Sequence, residues 1–303
     1  MTGFIQNLIS GLSLGSIYAL IALGYTMVYG IAKMLNFAHG DIIMVGAYIA
    51  SALISNTLKL AGFTGLGLPP AAGVLICVLA CVILGVTIEF LAYRPLRKAP
   101  PLAVLITAIG VSYFLQNLAL MICKTEPWSF PAKRLINIQP IKLRSIELDG
   151  TTLITLVVTA IIMLSLSWFI NKTKIGKAMR AVSEDKQAAE LMGISVNRMI
   201  SVTFAIGSAL AAVASIFYGA QYVYIKPTTG SMPGIKAFTA AVFGGIGSIP
   251  GAMIGGIMLG LIEQLAKTYI STMWSDAIVF AVLVIVLVVK PTGLLGKKVS
   301  EKV

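Results

Sequence analysis

The chain has 303 residues, of which 58% are hydrophobic and only 11% are charged, and its mean hydropathy is +0.94. Soluble domains carry about a quarter charged residues, so this composition excludes a soluble protein and predicts an all-α polytopic membrane protein. The net charge of +12 is not gathered into a basic stripe with interleaved aromatic residues, so no nucleic-acid partner is expected.

Nine apolar segments follow one another along the chain. They cover residues 5–29, 37–56, 68–92, 102–122, 151–170, 199–219, 235–249, 251–270 and 274–290. Crossing the roughly 30 Å hydrocarbon core takes about 20 residues, so eight or nine transmembrane helices are predicted. No soluble stretch approaches the size of an independent domain, and residues 1–303 are therefore predicted to form a single transmembrane domain.

The first apolar segment contains "SGLSLGSIYALIALGYTMVYG", which is rich in Gly, Ser and Ala. Small residues allow close backbone contact between helices, so this segment is expected inside the helix bundle. It lacks the compact basic, apolar and cleavage-site pattern of a signal peptide and is expected to be a retained span.

The second apolar segment begins with "LNFAHGDI", which contains the single histidine of the chain, His39. A histidine without clustered Cys, Asp or Glu residues is a poor metal site, so no metal is expected. The local interpretation makes Asn36 the N-cap of the following helix, with His39 and Asp41 hydrogen-bonded locally near the membrane interface. The alternative interpretation is a hinge or gate contact.

Three acidic residues lie within or beside apolar runs, namely Glu89, Glu263 and Asp276. Intramembrane acids are functional candidates by default. Glu89 lies close to Arg94, and Glu263 has Lys267 four residues later, so both acids are expected to form ion pairs. An ion-coupled carrier needs an unpaired acid near the middle of the membrane, and the sequence offers no convincing one.

Basic residues mark three regions as cytoplasmic: the loop 93–101, the loop 171–198 and the tail after Lys290. Short cytoplasmic loops collect Lys and Arg, which predicts an external N-terminus and an internal C-terminus. The loop 123–150 also contains Lys and Arg, but acids partly balance them. The order of the spans places this loop outside, as an ordered extracytoplasmic cap.

The stretch "GKAMRAVSEDKQAAELMGI", residues 176–194, is polar and lies between two apolar segments. Ser183 is a good N-cap residue with two acids after it, and Gly193 is placed to end the helix at C′. A helix of about two turns is too short to be stable alone, so it must pack against other groups. The expected apolar contacts come from Ala188, Ala189, Leu191 and Met192. Either the helix lies against the membrane surface or its own loops, or it docks into a groove of a cytoplasmic partner.

The seventh apolar segment, "IKAFTAAVFGGIGSIP", is too short and too rich in glycine for an ordinary span. Pro250 and the glycines around it predict a broken or re-entrant element, which membranes tolerate only where protein surrounds it. Three glycine pairs have the four-residue spacing that lets helices approach closely. They are Gly247 and Gly251, Gly251 and Gly255, and Gly256 and Gly260. Close packing explains most of the pattern, and backbone groups exposed to a zwitterionic substrate are the alternative.

Three motifs in this order resemble the permease subunits of ATP-binding-cassette importers for branched-chain amino acids, of the LivH type. They are "NFAHGDIIMVGAY" (36–48), the stretch 176–194 and "FGGIGSIPGAMIGG" (243–256). The resemblance covers nearly the whole chain. It implies a fold like that of type II importers, in the bacterial cytoplasmic (inner) membrane, with a cytoplasmic coupling loop at 171–198 that inserts into the ATPase. The implied partners are a second permease, two cytoplasmic ATP-binding subunits, an extracytoplasmic solute-binding protein and membrane lipid.

On this resemblance, the residues of the ATPase-coupling signature are Gly176, Lys177, Ala178, Met179, Arg180, Ala181, Val182, Ser183, Glu184, Asp185, Lys186, Gln187, Ala188, Ala189, Glu190, Leu191, Met192, Gly193 and Ile194. The gate or pore candidates are Asn36, His39, Asp41, Gly244, Gly245 and Gly247.

Catalytic motifs are missing from the sequence. It contains no phosphate-binding loop of the form G-x-x-x-x-G-K-[ST], so ATP hydrolysis is expected on another chain, and no cofactor is expected. No nucleophile elbow and no H-E-x-x-H motif indicates an enzyme. Permeases for urea, short amides or other amino acids share the framework, so the substrate stays open. An ion-coupled carrier that works alone and a non-transporting scaffold are the alternatives from other classes.

Overall fold

The computed structural model describes residues 2–55, 59–60, 63–97, 99–136, 141–143 and 146–296. Lys98, Lys297, Lys298 and Lys302, which contribute to the predicted orientation, lie outside the described residues. Part of the predicted cap at 123–150 also lies outside them.

Helices make up most of the described chain. In order they are α1 (Thr2–Ala32), α2 (His39–Ile54), α3 (Pro70–Ile88), α4 (Pro101–Cys123), α5 (Ala132–Leu135), α6 (Gly150–Lys172), α7 (Lys174–Glu184), α8 (Lys186–Leu191), α9 (Val196–Tyr222), α10 (Ser231–Gly244), α11 (Ile249–Tyr269) and α12 (Ser275–Val289). A π-helical turn, Glu89–Tyr93, continues α3.

The strands are only two or three residues long. They are β1 (Lys59–Leu60), β2 (Phe63–Thr64), β3 (Trp128–Ser129), β4 (Ile141–Leu143), β5 (Ile146–Leu148) and β6 (Tyr224–Ile225). They pair as three antiparallel ribbons, β1 with β2, β3 with β6 and β4 with β5.

Six of the described helices are long and apolar enough to cross a membrane: α1, α3 with its π-helical turn, α4, α6, α9 and α11. Helices α2, α10 and α12 are shorter, with 16, 14 and 15 residues. At 1.5 Å per residue, α10 extends about 21 Å, which is less than the ~30 Å hydrocarbon core. Every predicted apolar segment contains a helix, so the predicted all-helical membrane architecture is confirmed.

Helix α1 lies inside the bundle and α4 lies at its periphery. Within the apolar window of each helix, 78% of α1 is buried but only 17% of α4. Glycines let α11 run directly against α1, because a methyl group at Gly256 would overlap the backbone of Ala19, and one at Gly260 would overlap that of Gly15. The close approach predicted from the glycine spacing is therefore confirmed.

The chain breaks between α10 and α11, as the glycines predicted. Gly245 and Gly247 have φ angles of +106° and +91°, which residues with a Cβ rarely adopt. The Ser248 hydroxyl accepts a hydrogen bond from the Gly251 N–H (3.2 Å) and caps α11. Pro250 occupies the first turn of α11, where its missing N–H leaves no helical bond unmade. Helix α10 begins earlier than the predicted seventh segment.

The described part of the loop 123–150 is ordered by contacts with its neighbours. Trp128 is buried in the ribbon of β3 and β6. The Arg134 guanidinium donates hydrogen bonds to the carbonyls of Ile54 (2.8 Å) and Gly67 (2.6 Å). These bonds join the loop to the end of α2 and to the residues before α3. Its extracytoplasmic position stays a prediction.

Candidate coupling segment and gate residues

The coupling segment, residues 176–194, begins in α7 immediately after α6. The Thr173 hydroxyl donates a hydrogen bond to the Phe169 carbonyl (2.7 Å) and accepts one from the Gly176 N–H (3.1 Å). A methyl group at Gly176 would overlap the backbone of Phe169 and Ile170, so this turn requires glycine. The segment is thereby fixed to the end of a long apolar helix.

Helix α7 turns most of its apolar residues toward the bundle, although Ile175 is exposed. Met179 and Val182 are buried, whereas Lys177 and Arg180 are exposed. The helix packs against α6, α9 and α1. The first half of the coupling segment therefore rests on the bundle through apolar contacts.

The prediction that Ser183 is the N-cap of the short helix is wrong. Ser183 lies in the last turn of α7, and its hydroxyl donates to the Arg180 carbonyl (2.7 Å). Asp185, which has extended backbone, separates the two helices and caps α8 by accepting hydrogen bonds from the N–H groups of Gln187 (2.8 Å) and Ala188 (3.0 Å). A carboxylate at this position also interacts favourably with the helix dipole, which a serine hydroxyl does much less.

The predicted role of Gly193 is confirmed. Its φ angle is +80°, and it follows α8 at C′. The Gly193 N–H donates to the Glu190 carbonyl (2.9 Å), and the Ile194 N–H donates to the Ala189 carbonyl (3.0 Å). This pair of bonds is the Schellman arrangement, which requires a residue in the left-handed region.

Two large apolar side chains at the end of α8 are exposed. Leu191 is 89% exposed and Met192 is 81% exposed, whereas Ala189 is buried. Of the four residues expected to supply apolar contacts, only Ala189 contacts this chain, because α8 turns one narrow side toward the bundle, and Ala188, Leu191 and Met192 are exposed. Adjacent exposed apolar side chains on a folded helix indicate a surface that another molecule covers.

Lys186, the first residue of α8, reaches back to the bundle. Its ammonium donates a hydrogen bond to the carbonyl of Ala32, the last residue of α1 (3.0 Å). Partial burial lowers the pKa of Lys186 below its ordinary value, and repulsion from Arg97 and Lys33 lowers it further. The sequence contains no signal for this contact, which joins residues 154 positions apart.

The predicted ion pair between Glu89 and Arg94 is wrong. Glu89 pairs with Arg97, and the Ser201 hydroxyl donates to its other oxygen (2.7 Å). The Arg94 guanidinium lies over the Phe90 ring, 5.1 Å from its centre. The π-helical turn that begins at Glu89 rotates the following residues away from their positions in a regular α-helix, which separates Arg94 from the acid.

Asn36 does not cap α2, so this prediction is wrong. Ala38 precedes the helix, and the Asn36 side chain instead accepts a hydrogen bond from the Tyr93 hydroxyl (2.8 Å). Both side chains are buried. Because the amide is turned toward Tyr93, it joins the residues before α2 to the end of the π-helical turn.

His39 and Asp41 are both buried in the first turn of α2. The His39 ring contacts the Tyr25 ring edge-to-face at 4.7 Å. The Asp41 carboxylate accepts a hydrogen bond from the Gln116 amide of α4 (2.9 Å), so the expectation of local bonding is wrong for Asp41. Gln116 also contacts the Ser231 hydroxyl at the start of α10 (3.2 Å). Within the described residues, Asp41 has no ion-pair partner.

Metal ligands do not cluster in the described part of the chain, where no three His, Cys, Asp or Glu side chains are grouped to hold an ion. The remaining gate candidates surround the break after α10. Gly244 ends that helix, and Gly247 approaches Gly30 of α1 closely. A narrow cleft beside this break is lined by Tyr25, Tyr29, Met34, Leu35, Asn36, Phe238 and Ile246. The structure thus brings Asn36 next to the break, whereas Asp41 faces α4.

Known proteins resemble the chain over almost its whole length. A family model described as "Branched-chain amino acid transport system / permease component" matches residues 7–287. This chain belongs to that permease family.

Three relatives of the permease share its length. The high-affinity branched-chain amino acid transport system permease protein LivH of Salmonella typhimurium is 46% identical over 99% of this chain and 98% of its own. LivH of Escherichia coli K12 is 45% identical, and the corresponding protein BraD of Pseudomonas aeruginosa is 42% identical, each over the same shares. The permease is therefore a multi-pass transport subunit of the inner membrane and not an enzyme.

Proposed function

We propose that the permease forms the translocation path of an ATP-driven importer for branched-chain amino acids. The near full-length identity to LivH and BraD supports the substrate class. Leucine, isoleucine and valine are then the substrates to test first. The mechanism is supported mainly by the exposure of Leu191 and Met192 at the end of α8, a helix that is capped at both ends.

The coupling segment docks into a cytoplasmic ATP-binding subunit in this proposal. A six-residue helix is not stable alone, yet α8 is capped at both ends and anchored through α7. Leu191 and Met192 enter an apolar groove of the ATPase, and Glu190 lies beside them. Arg180 and the other exposed basic residues of α7 lie close to lipid headgroups.

The assembly has two permeases, two ATP-binding subunits and an extracytoplasmic solute-binding protein. Residues 1–303 form one transmembrane domain with the loop 171–198 in the cytoplasm. Among the described helices, α2, α10 and α12 complete a set of nine crossings, of which α10 is the short, broken one, so that the two termini lie on opposite sides, in a fold of the type II importer kind. The amino acid passes between this permease and its partner by alternating access.

The gate lies where the break after α10 meets α1 and the residues before α2. Asn36 and Ile246 line the same cleft, and Gly245 and Gly247 supply the flexible backbone there. Asp41 belongs to a second polar contact, at the junction of α2, α4 and α10. Movement of α10 therefore changes both contacts.

The first test is gentle purification of the permease from its native membrane, followed by mass spectrometry of the chains that accompany it. Reconstitution then measures uptake of radiolabelled leucine with and without ATP. Uptake that requires ATP, and co-purification of ATP-binding subunits, are the expected results. A preference for urea or a short amide over leucine would overturn the substrate class. Uptake by the purified chain alone, driven by an ion gradient, would overturn the mechanism.

A further inference from the structure

The hydrogen bond between Lys186 and Ala32 joins the coupling segment to the interior of the bundle. Ala32 is the last residue of α1, and Lys33, with φ of +57°, turns the chain away. The last carbonyls of an α-helix have no partner within the helix. A cation at this end also interacts favourably with the helix dipole. The Lys186 ammonium is therefore placed where a helix terminus binds a positive charge best.

The surroundings of Lys186 leave the Ala32 carbonyl as its principal partner. Arg97 and Lys33 are the charged groups that act on it most, and both repel it. The neighbouring acid Asp185 uses a carboxylate oxygen to cap α8. Among the described residues, Lys186 forms no ion pair.

The helix that Lys186 touches is the one best placed to distribute a movement. Helix α1 is largely buried and packs against α9, α10 and α11. Its contact with α11 is backbone to backbone at Gly15 and Gly256, so the two helices cannot move independently over this region. Helix α8 itself contacts the bundle mainly through Ala189 and Lys186.

We propose that Lys186 is a positioning residue that carries the displacement of α8 to the C-terminal end of α1. This inference rests on the proposed role of the coupling segment as the ATPase contact. When the ATP-binding subunit moves α8, the ammonium draws the end of α1 with it, and α11 follows. Without this bond, ATPase docking and hydrolysis continue but drive transport less efficiently.

The test measures leucine transported per ATP hydrolysed, using the whole complex and its solute-binding protein in proteoliposomes. In the Lys186→Met variant the ratio is expected to fall at least about five-fold, the lower end of typical coupling between sites. Co-purification of the ATP-binding subunits and the melting temperature stay at wild-type values. Lys186→Arg retains the donor and keeps most of the ratio. Lys133→Met, which removes an exposed lysine of α5 outside the coupling loop, leaves the ratio unchanged.

Restoring an ammonium group chemically at position 186 distinguishes loss of the positive charge from a folding defect. The three native cysteines are buried, so the Lys186→Cys variant offers one accessible thiol on this chain. Alkylation with 2-bromoethylamine forms a thioether that ends in an ammonium at nearly the position of the lysine Nζ. The ratio is expected to recover with this reagent and not with iodoacetamide, which leaves a neutral amide.

Two results would overturn the proposal. One is a wild-type ratio in both Lys186→Met and the iodoacetamide-treated Lys186→Cys variant. The other is loss of the ATP-binding subunits from Lys186→Met, because the lysine would then act in docking. A different result would show that the proposed function itself is wrong. If α8 is not the ATPase contact, the double variant Leu191→Ser, Met192→Ser would keep its ATP-binding subunits, and this result does not depend on the Lys186 variants.

Discussion

Lys236 of α10 donates a hydrogen bond to the Glu263 carboxylate of α11 across 2.8 Å, and both side chains are buried. Lys236 also pairs with Asp276 of α12 (2.7 Å), and Glu263 pairs with Lys267 (2.6 Å), as its spacing predicted. The Tyr18 hydroxyl of α1 donates to the same carboxylate (2.9 Å). Glu263 is therefore fully paired, so it is not the unpaired acid that an ion-coupled carrier would need.

Replacing Lys236 with methionine is expected to lower the free energy of unfolding in detergent by about 3 kcal/mol, because two carboxylates lose a shared cation. The double variant Lys236→Met, Glu263→Gln should cost less than the sum of the two single changes by about 1 kcal/mol or more, since the residues interact directly. Lys267→Met is the control. Its side chain is 26% exposed and its loss should cost about 1 kcal/mol. Additive costs at Lys236 and Glu263 would contradict the pairing.

A methyl group has opposite effects at two glycines of long apolar helices. Gly256→Ala should destabilise the protein by about 1–3 kcal/mol, because its Cβ overlaps the backbone of Ala19 and the helices must separate. Gly110→Ala should stabilise it by about 0.5–1 kcal/mol, because Gly110 lies in α4 with no atom within 4 Å of the added methyl group. Unfolding in detergent measures both changes. Equal effects at the two positions would contradict the packing of α1 against α11.

The corrected cap of α8 predicts which substitution loosens the coupling segment. Asp185→Ala should cost this helix about 1 kcal/mol and weaken retention of the ATP-binding subunits during washing with salt, whereas membrane insertion is unaffected. Ser183→Ala is the matched control and should retain them, because its hydroxyl donates to the Arg180 carbonyl within α7 and takes no part in capping α8. Gly193→Ala should behave like Asp185→Ala, since φ of +80° is strained for alanine. A stronger loss at Ser183 than at Asp185 would restore the original assignment.

The charge of Asp41 is tested by Asp41→Asn, which keeps an acceptor for Gln116 but removes the carboxylate. Leucine uptake should fall about five-fold or more, because a hydrogen bond to a charged group is worth about 1 kcal/mol more than one to a neutral group. Recovery of the intact complex should be unchanged, and its yield after purification is the control. Wild-type uptake would assign Asp41 a purely structural role at the junction of α2 and α4.

Short-range features of the permease were predictable from the sequence, and long-range side-chain contacts were not. The break at Gly245 and the helix end at Gly193 depend on backbone conformations that glycine favours, so the local sequence encodes them. The Tyr93–Asn36 and Gln116–Asp41 bonds join residues 57 and 75 positions apart. They depend on how each helix is rotated about its axis, and nearly uniform hydrophobicity around a membrane helix conceals that rotation.

Ser183 shows a second limit, since Ser and Asp are both good N-cap residues and only two positions separate Ser183 from Asp185. The sequence therefore located the short helix but not its first residue. The Arg97 partner of Glu89 was missed for a related reason, because a π-helical turn changes which side chains face one another.

The Gln116 amide has two hydrogens but three oxygen acceptors within reach: Asp41 at 2.9 Å, and Ser112 and Ser231, each at 3.2 Å. One acceptor is always left over. Ser112 lies on α4 itself, so the half-buried Gln116 amide keeps a partner on its own helix when its bond to α2 or to α10 breaks, which lowers the cost of separating α4 from either neighbour. Spectroscopic labels on α4 should then report a small displacement during each transport cycle, even though the helix contributes little to the packed interior.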